Sequence, residues 1–383
     1  MGGMQQRGHM HEELPMPPAP RPVRVALGTL LIPLVIATLI GLIALWPGAS
    51  RRVTDPVTRL RGTVENATPA CPLGIPAMPG GPCGTATVRI GRGDEVVNAT
   101  VPSGRSAPKI EPGDRVVLQS SGRGDYAVVD YDRSRPLLIL IALFAAVVIG
   151  FARWRGFTSL IGLAVSFAVL LLFVLPAIQQ GEPPLAVAVV GSAAIMFAVI
   201  YLTHGISVST SVAVLGTLAS LALTGLLGLL VTNAMRLTGA GTDETAILSN
   251  LLVGVDLRGL LLAGIIIGTL GVLDDVTITQ TSIVNELTLA DPTLPARRLY
   301  TSALRVGRAH AAAVVNTIIL AYAGASLPLM LLFVAGGARP MDVITTQAIA
   351  AEIVRGIIGT LGLIAAVPIT TALAAWISVK RRI

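Results

Sequence analysis

The stretch GIIIGTLGVLDDVTITQTSIVNEL, residues 264–287, decides how we interpret this chain. Together with the apolar residues before it, its first half is long enough for a membrane-spanning helix, which needs about 20 apolar residues. Two carboxylates, Asp274 and Asp275, interrupt its second half. A carboxylate inside a bilayer costs several kcal/mol and usually faces a bundle interior or a water-filled cavity. The stretch therefore predicts a membrane helix whose acids have a functional role.

Four polar side chains in the second half share one helix face. They are spaced four, three and four residues apart: Asp275, Thr279, Ser282 and Glu286. Such spacing stacks side chains along one side of an α-helix. We interpret this face as a polar seam inside a helical bundle, for ion binding or transport. Alternatively, the acids lie at the membrane interface and only cap the segment that follows.

Asp274 and Asp275 cannot both line that seam, because consecutive helical residues point about 100° apart. We expect one to face the seam and the other to form a structural pair with Arg305 or Arg308 at the start of the next span. Two more polar residues are supporting candidates, as interhelical hydrogen-bonding groups or a proton relay: Asn316 and His204.

The composition is that of a multi-pass membrane protein. The chain has 383 residues, of which 53% are hydrophobic and 13% charged, and its mean hydropathy is +0.76. Basic residues form short runs beside apolar segments, which is typical of membrane topology signals and not of nucleic-acid binding. We find no catalytic or phosphate-binding motif. His9 and His11 are close in sequence, but no further metal ligands accompany them. From the missing motifs we predict no enzyme and no cofactor, and from the missing ligands we predict no metal.

The chain divides into four predicted parts. Residues 1–24 are Pro-rich and predict a disordered cytoplasmic tail, and residues 25–46 predict a first transmembrane anchor. Short alternating runs between Gly and Pro turns in residues 50–134 predict a small extracytoplasmic β-domain, OB-like or a sandwich. Residues 136–378 predict a helical membrane domain of about seven spans. The fold class is therefore a mainly α polytopic bundle of about eight spans with one β-domain. The expected later spans are 136–152, 157–176, 184–203, 207–231, 259–283, 309–335 and 356–378.

The basic runs beside these spans fall on one side of the membrane. The positive-inside rule then predicts that both termini are cytoplasmic and that the β-domain lies outside. Cys71 and Cys83, the two cysteines of the chain, both lie in that domain. Export would allow a disulfide between them, and the alternative is a pair of free thiols.

A short segment recurs later in the sequence. Ile266–Gly271 reads IIGTLG, and Ile357–Gly362 has the same letters. Alanines at 365 and 366 replace the two aspartates in the second copy. Internal repeats are common in transporters and place binding sites at the repeat interface. Chance similarity between Gly-, Leu- and Ile-rich segments is the alternative.

The whole pattern resembles the YibE/F family of multi-spanning bacterial membrane proteins. The resemblance rests on an anchor followed by a β-domain, and on three motifs: Asp130–Arg133, Gly271–Leu287 and Glu352–Thr370. It implies a bacterial plasma-membrane protein of about eight spans, with no reaction or substrate to carry over. The family helix is expected to need one acid where this chain has two.

Two functions fit the sequence. The first is a permease-like protein in the lipid bilayer that uses the seam and couples an unknown solute to protons or cations. The second is a non-transporting scaffold or sensor whose β-domain binds a protein partner. In the second case the acids would only cap and join helices.

Overall fold

The protein is described by a computed structural model. The structure describes residues 20–48, 58–69, 71, 83–91, 95–102, 109–120, 125–252 and 254–381. His9, His11 and most of the predicted tail lie outside these residues. The chain divides into two compact units, one of residues 51–157 and one of residues 1–50 with 158–383.

The smaller unit contains a closed five-stranded barrel. Its strands are β1 Thr58–Ala67, β2 Thr85–Ile90, β3 Glu95–Thr100, β4 Arg115–Ser120 and β5 Tyr126–Tyr131. They follow the order β1-β2-β3-β5-β4 around the barrel, and only the β3–β5 pair is parallel. Alternate residues such as Val88, Val116 and Leu118 point inward and form its core. The predicted β-domain is thus present, as a barrel and not a sandwich, and Cys71 is disulfide-bonded to Cys83.

The described residues also form eleven α-helices and one π-helical turn, Leu170–Val174. The helices are α1 Arg21–Ala44, α2 Ser134–Val169, α3 Leu175–Gln179, α4 Pro184–His204, α5 Val208–Ala234, α6 Asp243–Leu251, α7 Leu257–Ala290, α8 Ala296–Ala325, α9 Leu327–Ala335, α10 Pro340–Thr345 and α11 Gln347–Lys380. Within the described ranges, seven helical segments are long and apolar enough to cross a membrane.

The count of seven differs from the expected eight because two predicted spans are joined. Residues 136–152 and 157–176 fall in one helical segment, Ser134–Gln179. Its backbone departs from helical geometry at Arg153, where φ is 51°. The break therefore lies where the basic residues separate the two apolar runs.

The predicted span 309–335 is also wrong in its bounds. The structure divides it between α8 and α9, and α8 begins at Ala296. The first half of α8 is rich in arginine, so hydropathy alone does not detect it. Small and apolar residues at four-residue spacing nevertheless bury one face of this half: Leu299, Ala303, Gly307 and Ala311.

The centre of the larger unit is a parallel pair, α7 and α11, each of 34 residues. Thr371 of α11 donates a hydrogen bond to Gln280 of α7, and the two residues are 91 positions apart. The IIGTLG segments have the same offset. A Cβ at Gly264 would lie 3.5 Å from Arg355 Nη2, again at this offset. The two copies therefore pack side by side in register, and the segment that recurs in the sequence is part of a structural repeat.

Two further helices flank the central pair and extend the repeat. α5 and α8 run antiparallel to it, and shifting α5 by 91 residues makes its end coincide with the end of α8. Gly216 of α5 and Gly307 of α8 are equivalent at this offset. Gly216 packs against Thr370 of α11, and Gly307 packs against Gln280 of α7. Because neither glycine has a side chain, each flanking helix approaches the pair closely.

Candidate functional site

Buried polar side chains run along the interface of α5, α7 and α11. We call this set the polar column, and its members are Thr217, Ser220, Thr224, Thr269, Thr277, Gln280, Thr360, Thr370 and Thr371. Each is at most 8% exposed, and most are fully buried. A line of hydroxyl and amide groups through an otherwise apolar bundle is costly unless it is hydrogen-bonded or used.

Contacts between helices hold the column in place. The Thr217 and Thr277 hydroxyls are 2.7 Å apart across α5 and α7. The Thr371 hydroxyl donates to Gln280 Oε1 at 2.8 Å across α7 and α11. Of the remaining threonines, Thr224 and Thr269 donate to carbonyls one turn back in their own helices, those of Ser220 and Ile265. The column is therefore built from the helices themselves and needs no loop.

Several polar atoms of this region have no hydrogen-bond partner among the described residues. They are Gln280 Nε2, Thr360 Oγ1, Thr370 Oγ1 and Asp274 Oδ1, and all are buried. Buried polar atoms in proteins are nearly always satisfied by protein, water or ligand. These four atoms lie on the two repeated helices, α7 and α11, and leave hydrogen-bonding capacity there.

Asp274 lies at the edge of the buried face of α7. Its side chain is half-buried, and its Oδ1 atom is fully buried. Thr277, one turn further along α7, donates to the Asp274 backbone carbonyl at 3.2 Å. The antiparallel register of α5 and α7, fixed by the Thr217–Thr277 contact and by Asn285 donating to Ser209 at 2.5 Å, places Asp274 at the level of Ser220. Of the two aspartates, Asp274 is thus the one with a buried carboxylate oxygen, one helical turn from Thr277 of the column.

The seam predicted from the sequence is on the other side of α7. Asp275, Thr279, Ser282 and Glu286 do share one face, but Asp275, Ser282 and Glu286 are exposed and Thr279 is half-buried. The expectation that this face lines the interior of the bundle is wrong for the single chain. The reason is that α5 and α11 cover the opposite face, which carries Thr277 and Gln280.

The expected partners of the acids are also placed differently. Arg305, Arg308 and Asn316 are exposed on α8, and neither arginine is the partner found for the acids. Instead, His310 Nε2 lies 3.9 Å from Asp275 Oδ2, whose side chain is 72% exposed. His204 is exposed at the end of α4. These four candidates therefore lie outside the polar column.

A second polar cluster lies near the N-terminal ends of α7 and α11. Arg355 donates from Nη1 to both Glu352 oxygens, at 2.8 and 3.0 Å. Its guanidinium lies over Gly264, and its Nε atom is buried without a partner in the described part of the chain. Glu352 and Arg355 line a cavity of about 190 Å³ with Thr242, Thr245 and Gln347. We did not predict this cluster from the sequence, although Glu352 and Arg355 belong to the Glu352–Thr370 motif quoted above.

The polar column was also missed, and its signal in the sequence is weak. Threonine at three- and four-residue spacing suits a helix that buries small residues, and it suits a polar path equally well. The recurrence of Thr210-Ser211 and Gly216 as Thr301-Ser302 and Gly307 is the clearest pointer, because it extends the repeat to the flanking helices.

The described residues contain seven apolar helical segments, two of which form the repeated pair α7 and α11, and this arrangement is that of a multi-pass membrane protein with a polar interior. The family comparison makes this assignment specific. The YibE/F-like protein family matches residues 140–380, which is more than half of the chain, and the protein belongs to that family. No curated protein and no solved structure matches the chain.

Proposed function

We propose that this protein is a permease that moves a small polar solute or ion along the polar column, coupled to a proton or cation at Asp274. The observation that carries the proposal is the group of unpartnered buried atoms on the two repeated helices: Asp274 Oδ1, Gln280 Nε2, Thr360 Oγ1 and Thr370 Oγ1. Transporters with internal repeats bind their substrates at such interfaces.

Asp274 has the chemistry that coupling requires. A carboxylate withdrawn from water without a hydrogen-bond donor is costly, so a cation or a proton that compensates its charge stabilises the site. Its neighbour Asp275 has the same functional group but is exposed. The second copy of the repeat has alanine at both equivalent positions, 365 and 366. Of the two copies, only the first therefore has an acid at this position.

The proposed orientation follows the basic residues and the disulfide. Both termini would lie in the cytoplasm of a bacterial cell, and the barrel would lie outside its plasma membrane. Arginines and a lysine at Arg21, Arg24, Lys380 and Arg381 support the cytoplasmic side. The Cys71–Cys83 disulfide supports an oxidising compartment for the barrel. The strand order of the barrel is compatible with an OB-like fold.

The proposal is tested by ion flux in proteoliposomes. We would impose a pH gradient or a Na⁺ gradient and follow internal pH or Na⁺ with trapped dyes. Wild type and Asp275→Asn should both carry flux, and Asp274→Asn should lose at least about tenfold, the effect expected when a buried coupling charge is removed. Equal flux in both variants, or none in wild type under either gradient, would overturn coupling at Asp274.

The scaffold or sensor function is supported by a different observation, the separate barrel unit with its own hydrophobic core. Under that function, deleting residues 54–130 would abolish a cellular phenotype while Asp274→Asn would leave it intact. The permease predicts the reverse for Asp274→Asn. The two functions are therefore separated by one variant and one deletion measured in the same cells.

A further inference from the structure

An apolar groove lies between the first and last helices of the larger unit. It has a volume of about 560 Å³ and is lined mainly by aliphatic and aromatic side chains from α1, α5 and α11. Its apolar lining includes Ala26, Leu27, Leu30, Leu215, Leu373 and Trp376. This volume falls in the range of ligand sites, about 300–1,000 Å³. The groove shares no residue with the polar column or with the Glu352–Arg355 cluster.

Positive charge gathers at one end of this groove. Lys380 lines it, and its Nζ atom lies 4.0 Å from the centre of the Trp376 ring. Arg381 follows in the chain, and Arg24 of α1 is close enough to act on it electrostatically. Burial lowers the pKa of Arg381, and the positive charge of Arg24 lowers that pKa further. Lys380 is therefore the basic side chain that an anion in this groove would meet.

We propose that the groove binds one acyl chain of an anionic phospholipid, with the lipid phosphate beside Lys380. The apolar walls suit a hydrocarbon chain, and basic pockets between membrane helices bind anionic headgroups. A second protein copy would need an interface of about 800 Å² per partner, whereas this groove is one cleft lined by three helices. Free phosphate would gain nothing from the apolar walls.

Native mass spectrometry of the full-length protein in detergent tests the site. Phosphatidylglycerol and phosphatidylcholine with identical acyl chains are titrated separately. Wild type should retain phosphatidylglycerol about fivefold more strongly, the effect of one basic residue near the headgroup. Lys380→Gln should lose that preference and keep the weaker binding of phosphatidylcholine. Arg339→Gln, which removes one charge from an exposed position outside the groove, should behave as wild type.

A groove-filling variant tests the acyl-chain half of the proposal. Ala26 is exposed and lines the groove, so Ala26→Trp should fill it without disturbing the core. This variant should lose both lipids while its thermal midpoint stays near that of wild type.

Equal retention of the two lipids by wild type, or unchanged binding in Ala26→Trp, would overturn the proposal. Displacement of phosphatidylglycerol by inorganic phosphate alone would also overturn it and would indicate a simple anion site. None of these outcomes depends on whether the protein transports a solute.

Discussion

Gln280 and Thr371 occupy equivalent positions in two copies of one repeat, and they are hydrogen-bonded to each other at 2.8 Å. Both side chains are fully buried. Two identical helices packed in parallel would bring equivalent residues together along their shared axis. In this chain the contact is between different side chains, because the copies have diverged. The repeat interface is therefore symmetric in backbone and asymmetric in chemistry.

The Gln280–Thr371 contact should be measurable as a coupling energy. In a double-mutant cycle of Gln280→Leu and Thr371→Val, we expect an interaction of about 0.5–1.5 kcal/mol, typical of hydrogen bonds between membrane helices. Unfolding in detergent supplies the four free energies. Gln280→Leu paired with Thr232→Val is the control, because Thr232 donates only to carbonyls of its own helix. If both cycles are additive, the contact does not join the repeats.

Close packing of α5 on α11 should depend on Gly216. A Cβ at this position would collide with buried Thr370, so Gly216→Ala should destabilise the protein by about 1–3 kcal/mol. At Gly271 nothing lies within 4 Å of the added Cβ, so Gly271→Ala should be neutral or stabilising by about 0.5–1 kcal/mol. Thermal midpoints in one detergent compare the two. A lower midpoint for Gly271→Ala than for Gly216→Ala would contradict this packing.

The Cys71–Cys83 disulfide should stabilise the barrel. It closes a loop with a sequence separation of 12, so its removal in Cys71→Ser/Cys83→Ser should cost about 2–4 kcal/mol. Hydrogen exchange of the barrel strands in the full-length protein reports this loss region by region. Reducing agent should speed exchange in wild type and leave the double variant unchanged. Rapid alkylation of both cysteines in unreduced protein would show that the bond is absent.

Acid should weaken the barrel where its last strand ends. Asp132 accepts a hydrogen bond from the Ser134 backbone at 3.1 Å and pairs with Arg115 at 2.8 Å. Hydrogen bonds from Ser134 lower the pKa of Asp132, and Arg115 lowers it further. A carboxylate whose folded pKa is depressed contributes stability above its unfolded pKa of about 3.9 and loses it as the pH falls through the folded value.

Asp132→Asn should therefore unfold more easily than wild type at neutral pH, and the difference should shrink below about pH 4. Unfolding curves of both proteins across that range measure this, and a constant difference would contradict it.

The sequence was sufficient for much of the fold and for less of the site. The lengths of the apolar runs predicted most of the membrane helices, and the alternating runs predicted the β-domain. The repeated segment indicated two related helices, which the structure shows packed side by side. The buried face of α7 was not predictable in the same way. Asp275 and Glu286 have the expected spacing, but the face that is buried depends on which neighbours approach. That approach is decided by Gly216 and Gly307 on other helices. Long-range packing of this kind leaves little trace in the local pattern.

Movement of a polar solute along the polar column requires that the column becomes accessible to water during function. Both native cysteines are in a disulfide, so single cysteines can be introduced at chosen positions and treated with a charged, membrane-impermeant thiol reagent. Thr371→Cys probes the column, and Ala375→Cys, one turn further along α11 and also buried, is the apolar control. Ser282→Cys, on the exposed face of α7, is a positional comparison. Labelling of Thr371→Cys well above Ala375→Cys is the predicted result. Equal protection of Thr371→Cys and Ala375→Cys would mean that the column is structural packing and not a path.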